Sequence, residues 1–268
     1  MKDFNITKNV LRKYNGSELH VVIPDGVITI GRRAFYGCKQ IKSVEIPSSV
    51  EIIDNNAFHG CTSLMNIEIP NSIKYIGPGA FSVCSSLESI TLPNSINSIG
   101  IGAFEFCTKL TSIKIPNSVN SIGSVAFRGC YKLSHIEIPS GVKYIAYSAF
   151  EKLQYVKPQY NANGSLRAFK AFNADWSCRN FQYVVGNSYH QIGTIQVCIN
   201  GFHACPNPLN VFNYYHGALH RLRFAEVELS GKMDSEYDYE KVAASDIKIV
   251  RELTASDLAK IYNSMEKE

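Results

Sequence analysis

Cys178, Cys198, His203 and Cys205 are of the types best suited to chemistry in this chain, because thiolate and imidazole are ligands of tetrahedral zinc. Zinc sites usually draw their ligands from two close pairs. Only the run C-x4-H-x-C is local here, and Cys178 lies far upstream of it. The alternative is a set of reduced core thiols beside a hydrogen-bonded histidine, and the spacing favours that alternative. His203 and Cys205 share a strand face, so Cys205 could also act as a nucleophile with His203 as its base. Such a pair needs a lowered thiol pKa and a third group to orient the imidazole. No orienting group is identifiable in the sequence.

A second set joins Arg167 and His203 to the carboxylates of Glu226 and Glu228. In chain order, Arg167, the run Gly201-Phe202-His203 and Glu226-x-Glu228 resemble three motifs of the ADP-ribosyltransferases: an arginine or histidine on an early strand, a G-F-x-x-[ST]-like strand before a helix, and a late glutamate. That resemblance implies that Glu228 holds a nicotinamide ribose and stabilises an oxocarbenium-like state. The chain departs from the pattern at the expected serine or threonine, where His203-Ala204-Cys205 stands. Ala225, Val227 and Leu229 read as the inward face of the same strand, which leaves Glu226 and Glu228 as its solvated face. Asp234, Glu236, Asp238 and Glu240 alternate in an acidic run. A calcium loop wants glycine at its sharp bend, where Tyr239 stands, so the run reads as an exposed hairpin tip.

The elements around these residues read as a mixed α+β domain over 156–268. Residues 157–166 hold Pro158 and Gly164 and read as a linker or first turn. Phe224 to Leu229 alternates as a strand, and Ile247 to Leu253 is another. Asn207-Pro208 supplies an N-cap and first-turn proline for a helix through Tyr215. Thr254 with Asp257 resembles a capping box that opens a last helix to about Met265. The runs Gly201 to Tyr215, Ala225 to Gly231 and Lys241 to Ile249, with Ala171-Phe172, Cys178-Arg179 and Phe181-Gln182-Tyr183, resemble an uncharacterised domain of phage and bacterial proteins. That resemblance brings no activity and no cofactor.

Upstream the sequence is periodic. Phe35, Phe58, Phe81, Phe104, Phe127 and Phe150 recur every 23 residues, each after an alanine. Pro24, Pro47, Pro70, Pro93, Pro116 and Pro139 keep the same step, as do Cys38, Cys61, Cys84, Cys107 and Cys130. A fixed period without slip means one supersecondary unit stacked repeatedly. In each unit L-x-x-I-x-I is a short strand, and proline then ends it because it has no N–H to donate. The next apolar pair turns the chain, and A-F-x-x-C returns with its ring inside. The thiols then fill a tight interior and form no bridges. The unit LxxIxIPxxIxxIGxxAFxxC resembles the leucine-rich repeats of BspA-like bacterial surface antigens. The resemblance implies an α/β repeat solenoid with a parallel sheet on one face. Ser49, Ser72, Ser95, Ser118 and Gly141 stand where the usual asparagine column is expected. Six repeats are expected over residues 20–155, with residues 1–19 as an N-terminal cap. The last unit is degraded, with Ala146 for glycine and Leu153 for cysteine.

Such a solenoid implies a protein-recognition surface. The outward strand positions form one row of Glu45, Glu68, Thr91, Lys114 and Glu137, and a second that includes Asn66 and His135. The formal net charge is +4, with 15 Lys+Arg against 11 Asp+Glu over residues 1–155 and 12 against 12 beyond. Neither half concentrates a basic face, so nucleic acid is not an expected partner. The apolar runs are too short to insert in a membrane. The first residues lack the apolar core of a secretory signal, which makes the cytoplasm the expected location. Display at the cell surface or secretion by another route, as in BspA-like relatives, is the alternative. The expected role is that of a binding or adaptor protein whose solenoid recognises a protein partner. The transferase with the solenoid as targeting module is the rival.

Overall fold

The strand pattern of each repeat leaves its backbone donors and acceptors facing the neighbouring repeats, and stacking satisfies them in parallel ladders. The computed structural model describes residues 3–235 and 240–267. His20–Val22, Ser43–Glu45 and Asn66–Ile67 pair in parallel, with His20, Ser43 and Asn66 in register. Bridges from Glu68 to Thr91 and from Ser89 to Ser112 continue the face to Ser112–Lys114 and His135–Glu137. Proline ends each strand and its carbonyl then starts the corner. Val50, Ile73 and Val119 donate to Pro47, Pro70 and Pro116 at 3.0 Å.

The apolar pair after each corner does more than turn the chain. Thr29–Ile30, Ile52–Ile53 and Tyr75–Ile76 form one parallel ladder, and Ser98–Ile99, Ser121–Ile122 and Tyr144–Ile145 form another. Two-residue strands carry too little alternation to be seen by period, so only stacking reveals them. The return side is a run of turns, and every helix among the described residues lies after residue 154. At the start, Phe4–Thr7 and Val10–Tyr14 form an antiparallel hairpin whose second strand pairs with Thr29–Ile30. Tyr14 covers the first phenylalanine ring at 5.2 Å.

Inside, the phenylalanines from Phe35 to Phe150 stack face to face, with centroids 4.9 Å to 5.7 Å apart and tilts of 9° or less. All six are fully buried. Beside them the thiols of Cys61, Cys84, Cys107 and Cys130 each donate to the carbonyl of the preceding repeat's phenylalanine at 3.2 Å. Burial pushes the Cys84 and Cys130 thiols up to about 12 and raises Cys61 and Cys107 as well. No cysteine in the chain is in a disulfide. Ser49 and Ser95 donate to Val27 and Ile73 of the preceding repeat, so these two serines link rungs at their corners.

Contacts divide the chain after Gln154. The second unit is built on an antiparallel sheet in the order Gln159–Tyr160, Leu166–Asn173, Leu222–Ser235, Val242–Leu253, Ser188–His190. Phe202–Ala204 pairs with the other end of Val242–Leu253. The segment 157–166 is the first strand and a tight turn closed by Asn161 and Ser165, so it is part of the sheet. The strand that begins at Leu222 bulges between Ser230 and Met233, where Gly231 has φ 75° and no room for a Cβ against Asp246. One sheet face buries Ala168, Phe172, Ala225, Val227, Leu229 and Ile249. The Asn207 side chain caps a short turn at Pro208–Asn210 that runs into the helix Val211–Tyr214. Thr254 and Asp257 form the capping box of Ala255–Ser264.

Candidate functional site

In the strand Leu166–Asn173 the inward positions include Ala168, Lys170 and Phe172, so alternation points an ammonium into the interior. Lys170 is 4% exposed and is the one charged member of the buried set among the described residues. It borders a cavity of about 540 Å³. Its Nζ donates to the His203 carbonyl at 2.9 Å and to the Tyr215 hydroxyl at 3.4 Å. The Phe172 and Tyr215 rings lie beneath it at 5.6 Å and 5.7 Å. Burial lowers the Lys170 pKa, the nearby Cys178 thiol opposes that, and the Arg179 guanidinium lowers it further. The Cys178 sulfur lies 3.5 Å from the Tyr215 hydroxyl. Burial raises the pKa of both Tyr183 and Tyr215, so both phenols stay protonated at neutral pH and can donate.

His203, Cys178 and Cys205 all line this cavity, but Cys198 is exposed and not among its lining residues. Among the described residues no three His, Cys, Asp or Glu side chains come together in a way that holds a metal ion. The four zinc candidates therefore do not form a tetrahedron. Cys205 is buried and its backbone exchanges two hydrogen bonds with Phe169 at 2.8 Å.

The set Arg167, Glu226 and Glu228 lies elsewhere. Arg167 and Glu228 are direct cross-strand partners, on the sheet face opposite Ala168 and Lys170. Arg167 Nε donates to Glu226 at 2.6 Å and its NH1 to Gln159 at 2.9 Å. Arg251 takes the other Glu226 oxygen at 2.8 Å. Burial pushes the Glu226 carboxyl up, but the two arginines outweigh it and hold the group below its ordinary range. Glu228 lies 3.8 Å from the Lys248 ammonium. Arg167 and Glu226 are therefore engaged in a surface ion-pair network, and neither they nor Glu228 line the cavity that holds His203. In the acidic run, Asp234 accepts from the Val197 N–H at 2.8 Å, while Glu236 and Asp238 lie outside the described residues.

Lys170 is absent from the sequence-based candidates. Its signal was a cation within the apolar run from Leu166 to Phe172, at an inward position of a strand. Strand assignment there requires the pairing with Leu222–Ser235, which local pattern does not show.

On the solenoid, Glu45, Glu68, Thr91, Lys114 and Glu137 are all exposed, as are Asn66 and His135. They stand on the parallel face in register, and an open groove of about 610 Å³ runs over its first rungs between Ser43 and Asn71. Lys114 and His135 sit 3.8 Å and 3.7 Å from Glu137.

A repeat solenoid with an exposed parallel face is followed by a separate sheet domain with a cavity. The chain belongs to the BspA type leucine rich repeat family, whose profile matches in six copies over residues 5–108 and 79–188. The match extends past Gln154, where the stacked unit ends. Residues 166–261 match a domain of unknown function (DUF7666). Among solved structures, a leucine rich repeat protein of T. pallidum (TpLRR) is 40% identical with a TM-score of 0.54. That likeness covers 56% of this chain and 76% of the other. A leucine-rich repeat protein of Bacteroides ovatus is 34% identical with a TM-score of 0.47, over 56% of this chain and 50% of the other. No curated protein matches. Repeat solenoids of this kind generally serve as protein-interaction modules. No helix among the described residues is long and apolar enough to cross a membrane.

Proposed function

We propose that this chain is a recognition or adaptor protein whose solenoid binds a protein partner through the face carrying Glu45, Glu68, Thr91, Lys114 and Glu137. The observation that supports this reading is the exposure of both outward rows along one continuous parallel face. Its backbone is already satisfied by the ladder, so a partner meets side chains and not open strand edges. Glu45 and Glu68 sit on adjacent rungs beside Asn66 in the open groove, which favours a partner segment bearing basic and hydrogen-bonding groups. Small polar side chains suit an interface of modest affinity, without aromatic or arginine anchors on this side.

A photo-activatable residue at Thr91, compared with one at Asn120 outside this face, tests the reading in extract of the native host. Cross-linking of one discrete protein from Thr91 and not from Asn120 is expected. Excess unlabelled chain should compete it away, and the triple variant Glu45→Lys, Glu68→Lys, Glu137→Lys should not. Equal labelling from both positions, or full competition by the triple variant, would count against this face.

A further inference from the structure

The cavity in the second unit is lined by cations and, among the described residues, by no carboxylate. The cations are Lys170, Arg179 and Lys241. Lys170 is enclosed; its Nζ donates to the His203 carbonyl and the Tyr215 hydroxyl, and the Cys178 thiol lies beside it. A buried ammonium without a carboxylate is destabilising, because its lost hydration is not replaced by an opposite charge. Burial disfavours the charged form, the Cys178 and Cys205 thiols offset part of that, and the Arg179 field adds to it, so the enclosed Lys170 ammonium gains from an incoming anion.

The walls specify the rest of the ligand. Phe181, Tyr183, Phe202, Tyr214 and Tyr215 all border the cavity. Aromatic faces and edges suit a flat π-system, and Lys241 already lies 4.2 Å over the Tyr214 ring. The amides of Asn173, Gln191 and Asn200 stand at the same lining and can pair with donors and acceptors on a ring edge. A volume of about 540 Å³ lies within the range of small-molecule sites. A bare inorganic anion would leave the aromatic walls unmatched. An uncharged ring would leave Lys170 uncompensated. Phosphate suits this set better than a carboxylate, since it approaches two negative charges at neutral pH and meets more than one cation here. The exposed Arg179 guanidinium can take it through two parallel bonds.

We propose that this cavity binds a small phosphorylated ligand with a flat heteroaromatic body, of the mononucleotide class. The phosphate lies toward Lys170 and Arg179, and the ring lies against the tyrosine and phenylalanine walls. This site is independent of the solenoid face and supplies the second unit with a ligand-sensing role.

The test is calorimetric titration of the full chain with AMP, GMP, CMP and UMP, alongside the matching nucleosides, inorganic phosphate and benzoate. One mononucleotide is expected to bind at one per chain, at least tenfold more tightly than its nucleoside, than phosphate and than benzoate. Lys170→Met should weaken that binding at least tenfold. Arg179→Ala, at an exposed position where folding is not at stake, should weaken it severalfold and decides the matter should Lys170→Met fail to fold. Absence of binding by all four nucleotides at millimolar concentration overturns the proposal. So does phosphate or benzoate binding as tightly as the nucleotide, or nucleotide binding unchanged in Arg179→Ala and in any folded Lys170→Met.

Discussion

Val83 has φ 61°, in the left-handed region that β-branched residues avoid. Its place in the repeat explains why. Gly37, Gly60, Phe106, Gly129 and Lys152 occupy the same step of other rungs, with φ between 53° and 72°. The N–H of this residue must reach forward to the next rung: Gly37 to His59 and Gly60 to Ser82 at 2.8 Å, Val83 to Glu105 at 2.7 Å. The ladder therefore imposes the backbone whatever the side chain. An L-residue there costs about 1–2 kcal/mol, with valine toward the upper end. Val83→Ala keeps most of that strain and gives up about 1 kcal/mol of half-buried side chain. Val83→Gly gives up the same side chain but recovers about 1–2 kcal/mol of strain. It loses about 0.5–1 kcal/mol to the freer unfolded chain. The glycine variant is thus expected to be the more stable of the two by about 0.5–1 kcal/mol, the reverse of the order at an ordinary position. For a unit of this size that is roughly 1–4 °C in thermal melting followed by circular dichroism. Lys132, exposed and outside the positive-φ set, is the control, where alanine should exceed glycine. Gly60→Ala adds a cleaner measure, since its new Cβ would meet nothing nearer than 3.8 Å and its loss of about 1 kcal/mol is conformational. If Val83→Ala melts at or above Val83→Gly, the ladder does not dictate this backbone and the reasoning fails.

Phe104 is wholly buried between rings 5.6 Å away on either side, so Phe104→Ala should lower solenoid stability by about 3–5 kcal/mol in urea titration. A loss under about 1 kcal/mol would mean the stack is not a continuous core. Among the thiols, exposed Cys198 should react first with a disulfide reagent, whereas Cys61, Cys84, Cys107 and Cys130 should react only on unfolding, as mass mapping of labelled peptides would show. Rapid native labelling of Cys107 would contradict the closed interior. The lowered Lys170 pKa has a definite sign: the folded state gives up this proton more readily than the unfolded chain, so stability rises with pH between the folded pKa and about 10.4. Lys170→Met should remove that rise and be no less stable at pH 7; an unaltered alkaline profile would refute it. Glu226 runs the other way, with a depressed folded pKa. Its contribution is present above the unfolded value of about 4.3 and lost as pH falls through the folded one. Glu226→Gln should therefore flatten the acid limb of the stability profile, and an unchanged limb would show the two arginines give it no net support.

The solenoid was legible in the sequence because each rung meets only its neighbours, so spacing in the chain translates directly into contact in space. The 23-residue columns of phenylalanine, alanine and cysteine therefore announced the interior, and proline announced the corners. The second short ladder and the left-handed steps did not show, since they arise from backbone groups that meet only after stacking. In the second unit the local signals survived: the caps at Asn207 and Thr254 and the inward face of Ala225, Val227 and Leu229 follow from neighbouring residues alone. The site did not. Arg167 and Glu226 found each other across strands 59 residues apart, and Lys170 reached the His203 carbonyl 33 residues away. Such pairings depend on strand order and register, which the antiparallel sheet sets through non-local hydrogen bonds. Sequence order placed Arg167, His203 and Glu228 in one motif, whereas the sheet divided them between a surface ion-pair network and the lining of a cavity.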